Sequence, residues 1–281
     1  MKVKVAFPTG FCFGVRRALK ALEEALAAHG EVYSLGSPIH NERVVEEMVS
    51  KGLRLVEDPE EVPPGGVSFV RAHGVSAATM EALKVRSSLV VDGTCPFVRR
   101  VQMKAKELAS EGYAVVVVGD PTHPEVVGIV GHVPGDKVFV VASRGEIKVD
   151  LFKSFGKIGV VCQTTNRVEA FKEVVSELVG LVEEVKVHNT ICDATAARQE
   201  AVRRLAAEVD AVVVVGSRSS ANTRKLLEIA SSLGEALLVE DVSDLERGWF
   251  RGKREIGVAA GASTPDCLIE KVVEELEGIE V

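Results

Sequence analysis

Apolar residues recur along this chain in two patterns. Short runs that are apolar almost throughout, rich in Val and without polar alternation, fall at 3–7, 68–71, 89–92, 114–118, 138–142, 158–162, 211–215 and 256–260. Such runs suit strands of a parallel sheet covered on both faces. Between them the period changes to that of a helix. Val15, Leu19, Leu22 and Leu26 line one face, and the helix they predict closes near Gly30. Val98, Val101, Ala105 and Leu108 repeat the pattern up to Gly112, and Val202, Leu205 and Val209 predict a third such helix. Strand and helix alternate over the whole length, which predicts an α/β fold.

A repeat lies in the spacing. The string "AVVVVG" occurs at 114–119 and again at 211–216, an offset of 97 that also separates Cys95 from Cys192. Each cysteine stands 24 residues before the glycine that ends a strand, Gly119 and Gly216, and the same count from Cys12 reaches Gly36 in "EVYSLG". Four residues past these glycines stand His40, His123 and Ser220. Further on, at looser spacing, "AHG" (His73), "QTT" (Thr164, Thr165) and "GAS" (Ser263) each follow a second apolar run. Three units built alike can close round an axis, and the recurrence of reactive residues favours that arrangement over a stacked array. The units expected are 13–95, 96–192, and 193–281 together with 1–12. They supersede the two domains that a length of 281 residues suggests at roughly 150 residues each.

Charge and location narrow the classes. Thirty-four basic against 41 acidic side chains give a net charge of −7, which argues against general binding of nucleic acid or of an anionic membrane. No run approaches 18 apolar residues and the N-terminus lacks a signal-peptide pattern, so a cytoplasmic protein is expected. Five cysteines in such a chain point to metal binding or catalysis rather than to disulfides.

Cys12, Cys95 and Cys192 sit where a strand or loop hands over to a helix, a place that favours thiolate. Three thiolates meeting at an axis suit an iron–sulfur cluster, or zinc with one open position. Cys162 and Cys267 break the pattern and read as core or surface residues. His40, His73, His123, Ser220, Asn222 and Ser263 lie at strand ends beside helix starts, where an α/β sheet binds ligands and where helix N-termini favour an anion. On local sequence alone Ser220 and Asn222 read as helix caps. Glu125, after the Pro that opens a helix, reads locally as an ordinary first-turn acid. Two residues from His123, it would also overlook the axis, where a carboxyl group away from water could donate protons.

With these residues in place, the sequence resembles the LytB-type 4-hydroxy-3-methylbut-2-enyl diphosphate reductases. The matching strings are "GFCFGVRRAL", "PIHNERVV", "AHGVS", "DGTCPFV", "HPEVVGI", "QTT", "TICDATAARQEAV", "GSRSSANTRKL" and "GASTPD", in order over residues 10–266. The resemblance implies a trefoil of three pseudo-threefold-related α/β units around a central 4Fe–4S cluster, held by Cys12, Cys95 and Cys192, with an open apical iron. It implies that His40, His73, His123, Ser220, Asn222 and Ser263 bind the diphosphate, that Glu125 delivers protons, and that Thr164, with Thr165 adjacent, orients it and the substrate hydroxyl. Ala221 departs from the family, standing where many members carry a second Ser. The reaction implied is reduction of the allylic diphosphate to isopentenyl and dimethylallyl diphosphate, last in the non-mevalonate isoprenoid pathway. The electron donor would be a small redox protein of ferredoxin or flavodoxin type, since no dinucleotide or flavin motif is present. Two other readings of the residues are a three-Cys cluster enzyme acting as a Lewis-acid dehydratase, and a zinc-stabilised phosphate-binding module.

Overall fold

Valine is the strand former that fixes this fold: every residue of 114–118 and of 211–215 is buried, so both runs need cover on two faces. The computed structural model describes residues 1–279. In chain order it forms β1 (Lys2–Val5), α1 (Phe13–His29), β2 (Val32–Leu35), α2 (Glu42–Ser50), β3 (Leu53–Val56), β4 (Val67–Val70), α3 (Ala77–Arg86) and β5 (Leu89–Asp92). Then come α4 (Pro96–Ser110), β6 (Ala114–Val118), α5 (Pro124–Val130), β7 (Val138–Val141), α6 (Val149–Phe152), β8 (Lys157–Cys162), α7 (Val168–Val179) and β9 (Glu184–Val187). The chain ends with α8 (Asp193–Ala206), β10 (Ala211–Val215), α9 (Ala221–Leu233), β11 (Glu235–Val239), β12 (Glu255–Ala260) and α10 (Asp266–Glu277).

Three four-stranded sheets result, ordered β3-β2-β4-β5, β7-β6-β8-β9 and β11-β10-β12-β1, and every pairing is parallel. The order is the same each time. A strand ending in the recurrent glycine (β2, β6, β10) pairs centrally with the strand that leads to His73, Thr165 or Ser263 (β4, β8, β12). Outside the latter lies β5, β9 or β1, and the chain leaving each of these reaches the next cysteine. The α/β class and the threefold recurrence of one unit are therefore present in the sheets.

Packing explains why the recurrence is faint in sequence. A Cβ on Gly159 of β8 would lie 2.7–2.9 Å from the side chain of Leu108 on α4, and one on Gly257 of β12 would lie 2.7 Å from Leu205 on α8. Both leucines stand thirteen residues after their cysteine. The residue at that position in α1 is Ala25, and Val67 stands in β4 where the others have glycine; both lie in one core cluster. The large group has moved from helix to sheet, keeping the filled volume similar.

Eight strands lie where continuous apolar runs predict them, and β2 where the spacing places it. β3 and β9 carry no such run, since polar residues interrupt them in "LRLV" and "EVKV"; β11 holds the run "ALLV", which sequence reasoning missed. The third helix stops at Ala206, so Val209 lies in the turn before β10, still packed on the core.

The chain forms two compact units. One gathers Met1–Val15, Ile39–Val44 and the chain from Asp193 onward, with the β11-β10-β12-β1 sheet; the other gathers Arg16–Pro38 and Val45–Cys192, with the remaining two sheets. Among the described residues no helix is long and apolar enough to cross a membrane.

Candidate active site

Each of the three recurrent cysteines immediately precedes a long helix, α1, α4 or α8. Their amides are anchored alike. The N–H of Cys12 donates to the carbonyl of Ala262 at 3.0 Å, that of Cys95 to Ala72 at 3.0 Å and that of Cys192 to Thr164 at 3.1 Å. In each case the acceptor directly precedes the second polar strand-end residue, Ser263, His73 or Thr165. One backbone arrangement thus presents three thiols, all partly exposed, beside the unpaired N–H groups of a helix start. Cys162, by contrast, ends β8 fully buried, where desolvation pushes its thiol well up and keeps it protonated. Cys267 is exposed in the first turn of α10. None of the five is in a disulfide.

In the larger unit, α5 opens with His123 as its N-cap. The Glu125 N–H donates to His123 Nδ1 at 3.1 Å, so Nδ1 is the acceptor of the ring and Nε2 carries the proton. The His73 ring stands edge-on to that of His123, centroids 5.3 Å apart. His73 is followed by Gly74, whose φ of +70° is a backbone conformation that other residues rarely adopt. Glu125, 1% exposed, points back into the protein. The Thr164 backbone N–H donates to its Oε1 at 2.6 Å and the Thr164 hydroxyl to its Oε2 at 2.8 Å. Burial raises the carboxyl to about 7 although both bonds from Thr164 pull it down. Thr165 is half-buried and accepts a hydrogen bond from the Gln163 amide at 3.1 Å.

The smaller unit holds Cys12, His40, Ser220, Asn222 and Ser263. Ser220 is the N-cap of α9, its Oγ accepting from the Thr223 N–H at 3.3 Å, as local sequence predicts. Asn222 is no cap. Its amide is 3% exposed, and neither its oxygen nor its nitrogen meets a hydrogen-bond partner among the described residues. A buried amide in that condition costs stability. Ser263 Oγ donates to the His40 carbonyl at 3.0 Å, and the Asn41 amide donates back to the Ser263 carbonyl at 3.2 Å.

Within each unit the residues singled out by sequence thus cluster at strand ends next to helix starts. The geometry adds two kinds of residue that sequence reasoning missed. Asn41, buried, caps α2 through its side chain to the Val44 N–H while holding Ser263. Arg198, also buried, leaves α8 to donate to the Gly10 carbonyl at 2.8 Å, fixing the loop before Cys12. Arg17 of α1 does the same for the loop before Cys95, donating to the Thr94 carbonyl at 3.1 Å. The available signal was positional: Arg198 and Arg17 lie six and five residues after a cysteine, on the helix it starts.

The family model of the LytB protein matches residues 3–277. The chain belongs to the LytB family. Among its curated relatives is the 4-hydroxy-3-methylbut-2-enyl diphosphate reductase of Citrifermentans bemidjiense, 44% identical over 282 aligned residues that cover 100% of this chain and 98% of the relative. The reductase of Aquifex aeolicus is 42% identical, covering 98% and 96%. A solved structure of (E)-4-hydroxy-3-methyl-but-2-enyl diphosphate reductase, the terminal enzyme of the non-mevalonate pathway, matches at 41% identity and a TM-score of 0.72, covering 99% of this chain and 100% of the other. The structure of the E-1-hydroxy-2-methyl-but-2-enyl-4-diphosphate reductase from Plasmodium falciparum superposes with a TM-score of 0.90 at 28% identity, covering 99% and 88%. This LytB chain is thus similar over its full length to reductases of one named reaction.

Proposed function

We propose that this LytB-family chain reduces (E)-4-hydroxy-3-methylbut-2-enyl diphosphate to isopentenyl and dimethylallyl diphosphate. The allylic C–O bond breaks, two electrons and two protons enter, and the hydroxyl leaves as water. The observation that carries this reading is Glu125, buried, clamped by both donors of Thr164 and raised to about 7. A carboxyl group so held keeps a proton near neutrality and presents it at a fixed place, as protonation of a departing hydroxyl requires.

Cys12, Cys95 and Cys192 are the residues that would hold the metal group. The donor set fits: three soft thiols, partly exposed, each at a helix start and each anchored by the same backbone bond. A 4Fe–4S cluster bound through three cysteines supplies one-electron transfer and, at the iron without a protein ligand, a Lewis-acid site for the hydroxyl. His40, His73, His123, Ser220, Asn222 and Ser263 hold the diphosphate. His123 serves with its Nε2–H, and Asn222 gains the partner its buried amide lacks. Helix N-termini add oriented N–H groups, so an acidic protein binds a polyanion without a basic patch. Thr164 holds Glu125 in register with the substrate hydroxyl, and Thr165 borders it. Protonation at one end of the allylic fragment gives isopentenyl diphosphate and at the other dimethylallyl diphosphate; the anchor fixes position without choosing between them. The electrons come from a small redox protein, and the reaction takes place in the cytoplasm.

The test is turnover of the allylic diphosphate by anaerobically purified protein with and without a reduced donor. Both five-carbon diphosphates should form only with the donor. Water loss without a reductant would instead make the chain a dehydratase, and a colourless protein holding one zinc would make it a binding module.

A further inference from the structure

We propose that the groove between α1 and α4 beside Cys95 is the docking site of the electron donor, and that the donor is a small acidic carrier protein. The inference rests on the proposed reduction, which consumes two electrons in a chain with no nucleotide or flavin motif of its own. Each electron therefore arrives by contact, one per encounter, and the carrier is oxidised by one electron each time.

The groove encloses about 370 Å³ and is bordered by Thr94 and Pro96, the two chain neighbours of Cys95. It thus opens within a residue, about 4 Å of chain, of a proposed cluster ligand. Its α4 wall is the stripe Pro96, Arg99, Arg100, Met103, Lys104 and Glu107, at the i, i+3, i+4, i+7 spacing of one helix face. The opposite stripe of the same helix, through Val98, Val101, Ala105 and Leu108, is buried in the core. α1 contributes Arg17.

Charge selects the partner. In a chain of net charge −7, four cations face one acid here. Arg99 and Lys104 share their charge with Asp92 and Glu107, whereas Arg17 and Arg100 have no carboxylate partner among the described residues. Met103, 65% exposed, supplies an apolar contact within this cationic ring. A small apolar centre with charges that steer the approach suits a short-lived electron-transfer complex, which needs a fast on-rate more than high affinity.

The probe is an acidic ferredoxin titrated calorimetrically into the anaerobic holoenzyme at low and high salt. Wild-type protein should bind it, with affinity falling as salt rises. The double variant Arg100→Glu, Lys104→Glu changes one exposed and one half-buried residue outside the catalytic site and leaves Arg17, which braces the Thr94 loop, in place. It should raise Kd at low salt at least about tenfold and slow ferredoxin-driven turnover in step, while turnover driven by a reduced viologen stays within about twofold. No binding by the wild-type protein, or the same Kd for the double variant, overturns the docking site, as does a wild-type dimer that only the double variant dissolves with ferredoxin Kd unaltered. Viologen-driven turnover separates the two readings: its absence from the wild-type protein would overturn the reduction itself.

Discussion

Glu125 is held by two donors from one residue, and its titration should be readable in two ways. As the proton donor it works protonated, so kcat/KM should fall as pH rises through about 7. Glu125→Gln should lower turnover about 10²-fold or more while iron content is kept, and should flatten that alkaline limb. The same carboxyl also links stability to pH. Between about 4.5 and about 7 the folded chain keeps a proton that the unfolded chain has released, so stability falls as pH rises across this window. The cost, about 3 kcal/mol, is absent below the window and complete above it, and denaturant unfolding of the Gln variant should lose the dependence. Thr164→Val removes the hydroxyl that pulls the carboxyl down, so the alkaline limb should move to higher pH, and Thr164→Ser should restore it. An unchanged limb in the Val variant would remove Thr164 as the positioning group. Asn222 gives the complementary case. Asn222→Leu removes two buried, unsatisfied atoms, so thermal melting should hold or rise while KM for the diphosphate increases at least about tenfold. A lower Tm with unaltered KM would make Asn222 structural. Cysteines and histidines stood out in the sequence because they recur at strand ends, and Glu125 only by its place two residues from His123. Asn41 and Arg198 did not, since their work is done on carbonyls remote in sequence, at Ser263 and Gly10.

The units differ as elements in where they put the same volume. Leu108 presses on Gly159, and the first unit places the bulk on the sheet instead, with Ala25 and Val67. Leu108→Ala alone should cost about 2–5 kcal/mol and Gly159→Val alone about 1–3 kcal/mol. Combined, they recreate the first unit's distribution, so urea unfolding of the double variant should show it more stable than the sum of the single losses. Additive losses would mean that the two positions do not share one space. This exchange also explains what spacing could reveal and residue identity could not. Cys-to-Gly intervals recur because each spans one helix start and the strand end that follows it, whereas core residues trade size across a contact. β3 and β9 escaped notice because polar residues interrupt the apolar run that marks even the edge strands β5 and β7.

For the whole molecule, threefold recurrence gives the chain three thiols in like backbone settings. Each repeat supplies one cysteine, its N–H bonded to the carbonyl before the second strand-end residue. The chemistry has then diverged at matched positions. Six residues past the recurrent glycine stand Glu42, Glu125 and Asn222. Glu42 is exposed, while the other two are buried; the proposed function gives Glu125 proton delivery and Asn222 anion binding. A shared metal group is therefore the central claim, and it is tested most directly by iron and sulfide analysis of anaerobically purified wild-type protein beside Cys95→Ala. The expected result is a brown wild-type protein with iron and sulfide in equal amounts, approaching four of each per chain, and a variant that loses most of both along with turnover. A wild-type chain without iron and sulfide, or a Cys95→Ala variant with full cluster and full activity, would contradict it.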